Sequence, residues 1–159
     1  MDNLQFGLHV FQKTRQTVVD AVANLTAEQL LAMPASFDNN ILWNVGHIIV
    51  IQQALVYGRS GLDPLIDLEA MQANFWPRTS PADWKTTPDV TAVLAMLSDH
   101  SNQFAADIAA GKFTDVAYQP RTSGSGIYVE TVAEVVHYNN YHEGLHLGAI
   151  LALRNLVAD

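Results

Sequence analysis

Four long segments of this 159-residue chain carry apolar residues at alternating three- and four-residue steps. That spacing places the apolar side chains along one face of an α-helix. The segments cover approximately residues 3–25, 40–58, 89–110 and 130–157, with proline- and glycine-containing stretches between them. No region alternates apolar and polar residues strongly enough to predict a large sheet. The pattern therefore predicts an all-α protein, a four-helix bundle whose apolar stripes face one core.

The longest connection, residues 60–88, joins the second and third predicted helices and holds four prolines. We expect an irregular crossover with one helical turn near residues 68–73. Its aromatic side chains Phe75, Trp76 and Trp84 are too apolar for a solvated linker, so it should pack over one end of the bundle or into a partner subunit. Two smaller features are a capped helical turn that begins at Thr26 and a hairpin from residues 113–118 to 127–129.

Composition narrows the possible chemistry and partners. The chain has no cysteine, so histidine and carboxylate are its strong transition-metal ligands. Sixteen acidic against eight basic residues give a formal charge of −8, and the basic residues are scattered, which disfavours nucleic acid as a partner. The start lacks the basic and apolar run of a signal peptide, and no long uninterrupted apolar stretch follows. We expect a single domain over residues 1–159, cytoplasmic and without a membrane partner.

Three histidines lie on the apolar stripes of two different helices. His47 is in the stripe of the second helix, and His142 and His146 stand one turn apart in the stripe of the fourth. In a bundle these stripes converge, so the three imidazoles should project into one cavity. A single interior histidine is usually satisfied by one hydrogen bond, but three together would leave several buried polar groups to satisfy. A shared Zn, Ni, Fe, Co or Cu ion would satisfy them and keep open positions for water or substrate.

The segment His142–His146 also matches the His-Glu-x-x-His pattern of zinc proteases. Those enzymes need a third ligand downstream, and no histidine or glutamate follows His146. Glu143 could act as a general base, but we expect it to be solvated or to support a neighbouring ligand.

Arg15 interrupts the stripe of the first helix, and we expect its charged head to reach solvent, with a buried carboxylate or anionic ligand as the alternative.

The chain resembles the DinB-like superfamily of four-helix-bundle metalloproteins, which includes the bacillithiol and mycothiol transferases. The resemblance rests on residues 40–48, Asn-Ile-Leu-Trp-Asn-Val-Gly-His-Ile, and on residues 142–150, His-Glu-Gly-Leu-His-Leu-Gly-Ala-Ile. It implies that His47, His142 and His146 bind a divalent metal, commonly nickel or zinc, and that the protein forms a homodimer. Many members have Gly-Gln after the last ligand where this chain has Gly-Ala, which weakens any transfer of substrate contacts.

We therefore expect a metal-dependent transferase that activates a low-molecular-weight thiol, or water, for attack on a small electrophile. The alternatives are a metal-dependent hydrolase and a non-catalytic stress-response module that holds a metal or small ligand. Candidates for orienting the nucleophile or substrate are Asn139, Tyr138, Tyr141 and Glu143. Each of them could instead be a packing residue.

Overall fold

The computed structural model describes residues 3–157, and within them six α-helices account for most of the chain. The helices are α1 (Asn3–Val22), α2 (Ala27–Leu31), α3 (Ile41–Gln52), α4 (Leu68–Phe75), α5 (Val90–Ala109) and α6 (Val132–Val157). The long helices α1, α3, α5 and α6 form the bundle: α1 packs against α5 and α6, and so does α3. The all-α bundle predicted from the apolar spacing is confirmed.

Helix α3 is the centre of the bundle, and all twelve of its residues are buried. It begins where the sequence predicted, because the Asn40 side chain accepts a hydrogen bond from the backbone N–H of Trp43 at 2.7 Å. A π-helical turn (Gln53–Tyr57) and a 3₁₀ turn (Gly58–Ser60) extend it.

Among the described helices, the continuous segment Ile41–Ser60 is the one long and apolar enough to cross a membrane. Of its most apolar window, 89% is buried inside the bundle, like the core helix of a soluble protein.

The crossover between α3 and α5 packs against α3. It contains α4, slightly longer than the predicted turn, and a 3₁₀ turn (Pro81–Asp83). Phe75, at the end of α4, is fully buried, and the Trp84 ring meets it edge-on with centroids 5.7 Å apart. Phe75 is thus part of the core, and Trp76 and Trp84 are partly buried against it, so the crossover aromatics pack on the bundle as expected of apolar side chains.

The predicted hairpin was misplaced at its first strand. The structure pairs β1 (Arg121–Thr122) with β2 (Tyr128–Val129) in antiparallel register, with Gly126 at a positive φ of 82° in the connection. The expected first strand, residues 113–118, has no strand structure. Its apolar character has another cause, since the ring of Phe113 packs edge-on against that of Tyr57 at 5.3 Å.

Candidate metal centre

The three stripe histidines meet where α3 packs against α6. One ring nitrogen from each of His47, His142 and His146 lies within 4.8 Å of those of the other two. The ring of His47 is 5.1 Å from that of His142 and 4.6 Å from that of His146, measured between centroids. The structure therefore brings together the residues that the helical phase predicted to converge. His9, His100 and His137 lie outside this group.

Hydrogen bonds set the orientation of two of the three rings. Nδ1 of His47 lies 2.7 Å from the backbone oxygen of Phe75, and Nδ1 of His146 lies 2.8 Å from Oδ1 of Asn44. Both oxygens only accept hydrogen bonds, so each Nδ1 carries the proton. The lone pair of each imidazole is then on Nε2, which is the arrangement that metal-binding histidines adopt.

The orientation of the Asn44 amide is fixed by its own neighbours. Its Nδ2 donates to the backbone oxygen of Asn40 at 2.8 Å, which leaves Oδ1 facing His146. Asn40 also caps α3. The residue that begins the central helix therefore orients, through Asn44, one ring of the site.

The crossover supports the remaining side of His47. The ring of Trp43 stacks on that of His47 at 4.6 Å with 12° between the planes, and its indole N–H donates to Oγ1 of Thr79 at 2.9 Å. Gly46 lets the crossover approach α3 this closely, because a Cβ at that position would lie 2.4 Å from the ring of Phe75. The hydrogen bond from His47 to the backbone of Phe75 depends on this approach.

Burial keeps these imidazoles neutral. Desolvation, followed by repulsion from His146, His47 and Arg15, lowers the pKa of His142 to about 3. Desolvation, followed by repulsion from His47, lowers the pKa of His146 to about 4. Burial also lowers the pKa of His47, although its hydrogen bond to the backbone of Phe75 opposes that shift. Neutral imidazole is the form that binds metals, so the group is ready for a cation at neutral pH.

His142 differs from the other two histidines, because its buried Nδ1 has no hydrogen-bond partner among residues 3–157. The ring of Tyr138 lies nearly parallel to it, with centroids 6.4 Å apart and 28° between the planes. Tyr141 is 48% exposed, and its ring is 6.3 Å from that of Tyr138. The two tyrosines therefore lie on the α6 side of the cluster, with Tyr138 beside His142 and Tyr141 reaching solvent.

The leading expectation for Arg15, a head group in solvent, was wrong, and the stated alternative, a buried carboxylate partner, is confirmed; the expectation of a solvated Glu143 was wrong. Arg15 is 1% exposed and Glu143 is fully buried, and the guanidinium binds both carboxylate oxygens, at 2.7 Å through Nε and 2.8 Å through Nη2. Nη2 also donates to the backbone oxygen of Ile48 at 3.1 Å, and Asn139 donates to the carboxylate at 2.8 Å. Removing either charged group from water is too costly unless it is paired with an opposite charge. Each of the two residues is therefore buried because of the other.

This ion pair changes the roles expected for two candidate site residues, Glu143 and Asn139. Both oxygens of Glu143 are occupied by Arg15, and one of them also by Asn139. A carboxylate held in this way links α6 to α1 and is a poor general base, because both of its oxygens already accept hydrogen bonds. Asn139 directs its amide N–H to Glu143, while its buried Oδ1 has no partner among the described residues.

A protein-family comparison agrees with this architecture. The family model described as the DinB superfamily matches residues 11–150, a span that includes most of α1 and all three histidines. The chain belongs to the DinB superfamily. A comparison with curated proteins gives no match. The DinB bundle of this chain thus contains a three-histidine group capable of holding a metal ion.

Proposed function

We propose that this DinB protein binds a divalent metal through His47, His142 and His146 and uses it in a transferase reaction. The nucleophile would be a low-molecular-weight thiol or water, and the acceptor a small electrophile. The observation that carries the proposal is the approach of Nδ1 of His47 and of His146 to the acceptor oxygens of Phe75 and Asn44, at 2.7 and 2.8 Å. This arrangement leaves Nε2 of both rings free to bind a cation.

Zinc and nickel are the metals that we propose. The metal ligands are neutral imidazoles, which suit both ions. The sequence has no cysteine thiolate that would favour a softer metal. When bound, an ion with three imidazole ligands keeps open positions and lowers the pKa of a thiol or water held there.

The chain's own residues would position the reactants. Trp43 and the crossover pack around the buried His47, whereas His142 and His146 are partly exposed on the α6 side. Tyr138 and Tyr141 lie on that side and are the candidates for contact with substrate. In thiol transfer the sulfur would lose its proton to solvent and form a bond to the electrophilic carbon. The leaving group would depart with the electron pair of the bond that breaks.

The activity is tested with metal-loaded protein, a thiol such as bacillithiol, mycothiol or glutathione, and an alkylating substrate. We expect thiol consumption that disappears in His146→Ala and persists in His9→Ala, which removes an exposed histidine outside the group. A wild-type rate no greater than that of His146→Ala would exclude thiol transfer. Release of product from an ester or amide substrate under the same conditions would favour the hydrolase alternative.

A non-catalytic function remains the second candidate, in which the metal is structural or captures a small ligand. The observation that favours it is a pair of buried polar atoms without partners in the described chain, Nδ1 of His142 and Oδ1 of Asn139, which would hydrogen-bond a captured ligand. X-ray absorption spectroscopy of the metal-loaded protein distinguishes the candidates. An exchangeable water or thiol ligand supports catalysis, and a fourth protein ligand supports a closed structural site.

We also propose that the protein is a homodimer that pairs through α6. Three large apolar side chains on one face of that helix are at least 48% exposed: Tyr141, Leu145 and Leu156. Such an exposed apolar patch favours a protein contact. Light scattering after size exclusion should give twice the monomer mass for wild type and the monomer mass for Leu145→Glu. The control variant Ala106→Glu, at an exposed position of α5, should remain a dimer. A monomeric wild type would contradict the proposal.

A further inference from the structure

A polar cavity of about 380 Å³ lies between α1 and α5, and none of the three clustered histidines lines it. Its volume suits a small molecule. Helix α1 contributes several of its polar side chains and α5 the others. The polar lining includes Gln12, Lys13, Arg15, Ser98, Ser101 and Asn102.

The charge of this cavity differs from that of the whole protein. The chain has twice as many acidic as basic residues. The lining nevertheless contains Lys13 and Arg15, and none of its residues in the described part of the chain is acidic. Hydroxyl and amide groups supply further hydrogen bonds. A cavity with two cations, polar donors and no carboxylate favours an anion over a cation or an apolar ligand.

Arg15 lines the cavity, and one of its buried N–H donors is not satisfied by the described protein. Its Nε and Nη2 atoms bind Glu143, but Nη1 is buried and has no hydrogen-bond partner among residues 3–157. A guanidinium presents five N–H groups, and buried donors are nearly always paired. Glu143 already balances the charge of Arg15, so Nη1 offers hydrogen bonds and the exposed Lys13 supplies the uncompensated charge.

We propose that the α1–α5 cavity binds a small anion that carries a carboxylate or phosphate group. Lys13 attracts the anion at the solvent side, Ser101 and Asn102 offer hydrogen bonds, and Arg15 donates from the buried side through Nη1. Because one of the two cations is already paired, the affinity for a simple ion lies in the millimolar range. This site does not depend on the metal centre.

Nuclear magnetic resonance titration of ¹⁵N-labelled protein tests the proposal, with inorganic phosphate and acetate as probes at constant ionic strength. We expect saturable shifts of the amides of Lys13, Ser101 and Asn102 and of the Arg15 side-chain resonances. The anion that saturates at the lower concentration identifies phosphate or carboxylate as the preferred group. The same shifts in His47→Ala show that the anion does not bind at the histidines.

A matched pair of charge reversals gives the decisive comparison. Lys13→Glu should weaken anion binding about tenfold, whereas Lys85→Glu, at an exposed position in the crossover with the same change in net charge, should alter it less than twofold. The proposal is overturned if neither anion gives saturable shifts. It is equally overturned if the two variants weaken binding to the same extent, which would show only a response to net charge.

Discussion

The buried pair between Arg15 and Glu143 makes the sharpest prediction about stability. Both residues are at most 1% exposed, and two hydrogen bonds of 2.7 and 2.8 Å join them. Arg15→Met would leave a buried carboxylate with Asn139 as its remaining donor. Removing one partner of a buried pair typically costs about 3–5 kcal/mol. We expect a loss of about 3 kcal/mol, because the Asn139 hydrogen bond recovers part of the penalty.

The matched control is Lys112→Met, which removes the other ion pair of the described chain, with Asp107. Lys112 is 53% exposed, and Asp107 keeps hydrogen bonds from Tyr57 and Gln103 after the change. That variant should therefore lose no more than about 1 kcal/mol.

Urea unfolding followed by circular dichroism measures both losses. The double variant Arg15→Met/Glu143→Leu should recover most of the stability lost in the single variant, because no buried charge is then unpaired. A loss for Arg15→Met no larger than that for Lys112→Met would refute the account of the pair. So would a double variant whose loss equals the sum of its single losses.

Three further predictions concern the histidine cluster and its support. Asn44→Ala should weaken metal binding about 10–100-fold without abolishing it, because it frees the ring of His146; competition with a chromogenic chelator measures this. Gly46→Ala should cost about 1–3 kcal/mol in urea unfolding, since its Cβ would overlap the ring of Phe75, and a cost near zero would contradict the close packing. The metal-free protein should lose stability as the pH falls from about 6.5 towards 4. In that range His142 and His146 bind protons when unfolded but not when folded, at about 1.4 kcal/mol per pH unit for each. Urea midpoints that stay constant across this range would contradict their burial as neutral imidazoles.

The sequence was sufficient to predict the long helices and the meeting of the histidines. Helical periodicity assigns each apolar residue to a face, and the same periodicity places His47 and His146 on faces that converge in a bundle. The periodicity placed the start of the second helix near residue 40, and in the structure Asn40 caps α3. These features depend on local spacing, which a single sequence contains.

The burial of Glu143 could not be inferred from the same spacing. One residue after His142, it points about 100° away around the helix, which in a helix with one buried face would mean solvent. Helix α6 packs against both α1 and α3, so it has two buried faces. Arg15 in the α1 stripe was the available signal, but periodicity does not say which acid on another helix will meet it.

The residues that orient the imidazoles were missed for a related reason. Asn44 lies in a helix buried on every side, so its spacing from His47 did not distinguish it from the other residues of that helix. The partner of His47 is the backbone oxygen of Phe75, and a backbone group has no sequence signature. The first contact forms only when α6 packs on α3, and the second only when the crossover does. Both therefore depend on the tertiary structure and not on local sequence.

The most direct test of the central claim is elemental analysis of protein purified without a nickel column. We predict about one equivalent of zinc or nickel per chain, lost in His47→Ala and retained in His9→Ala. Circular dichroism should show that both variants remain folded. Absence of bound metal in wild-type protein, even after incubation with zinc or nickel, would contradict a metal centre at His47, His142 and His146.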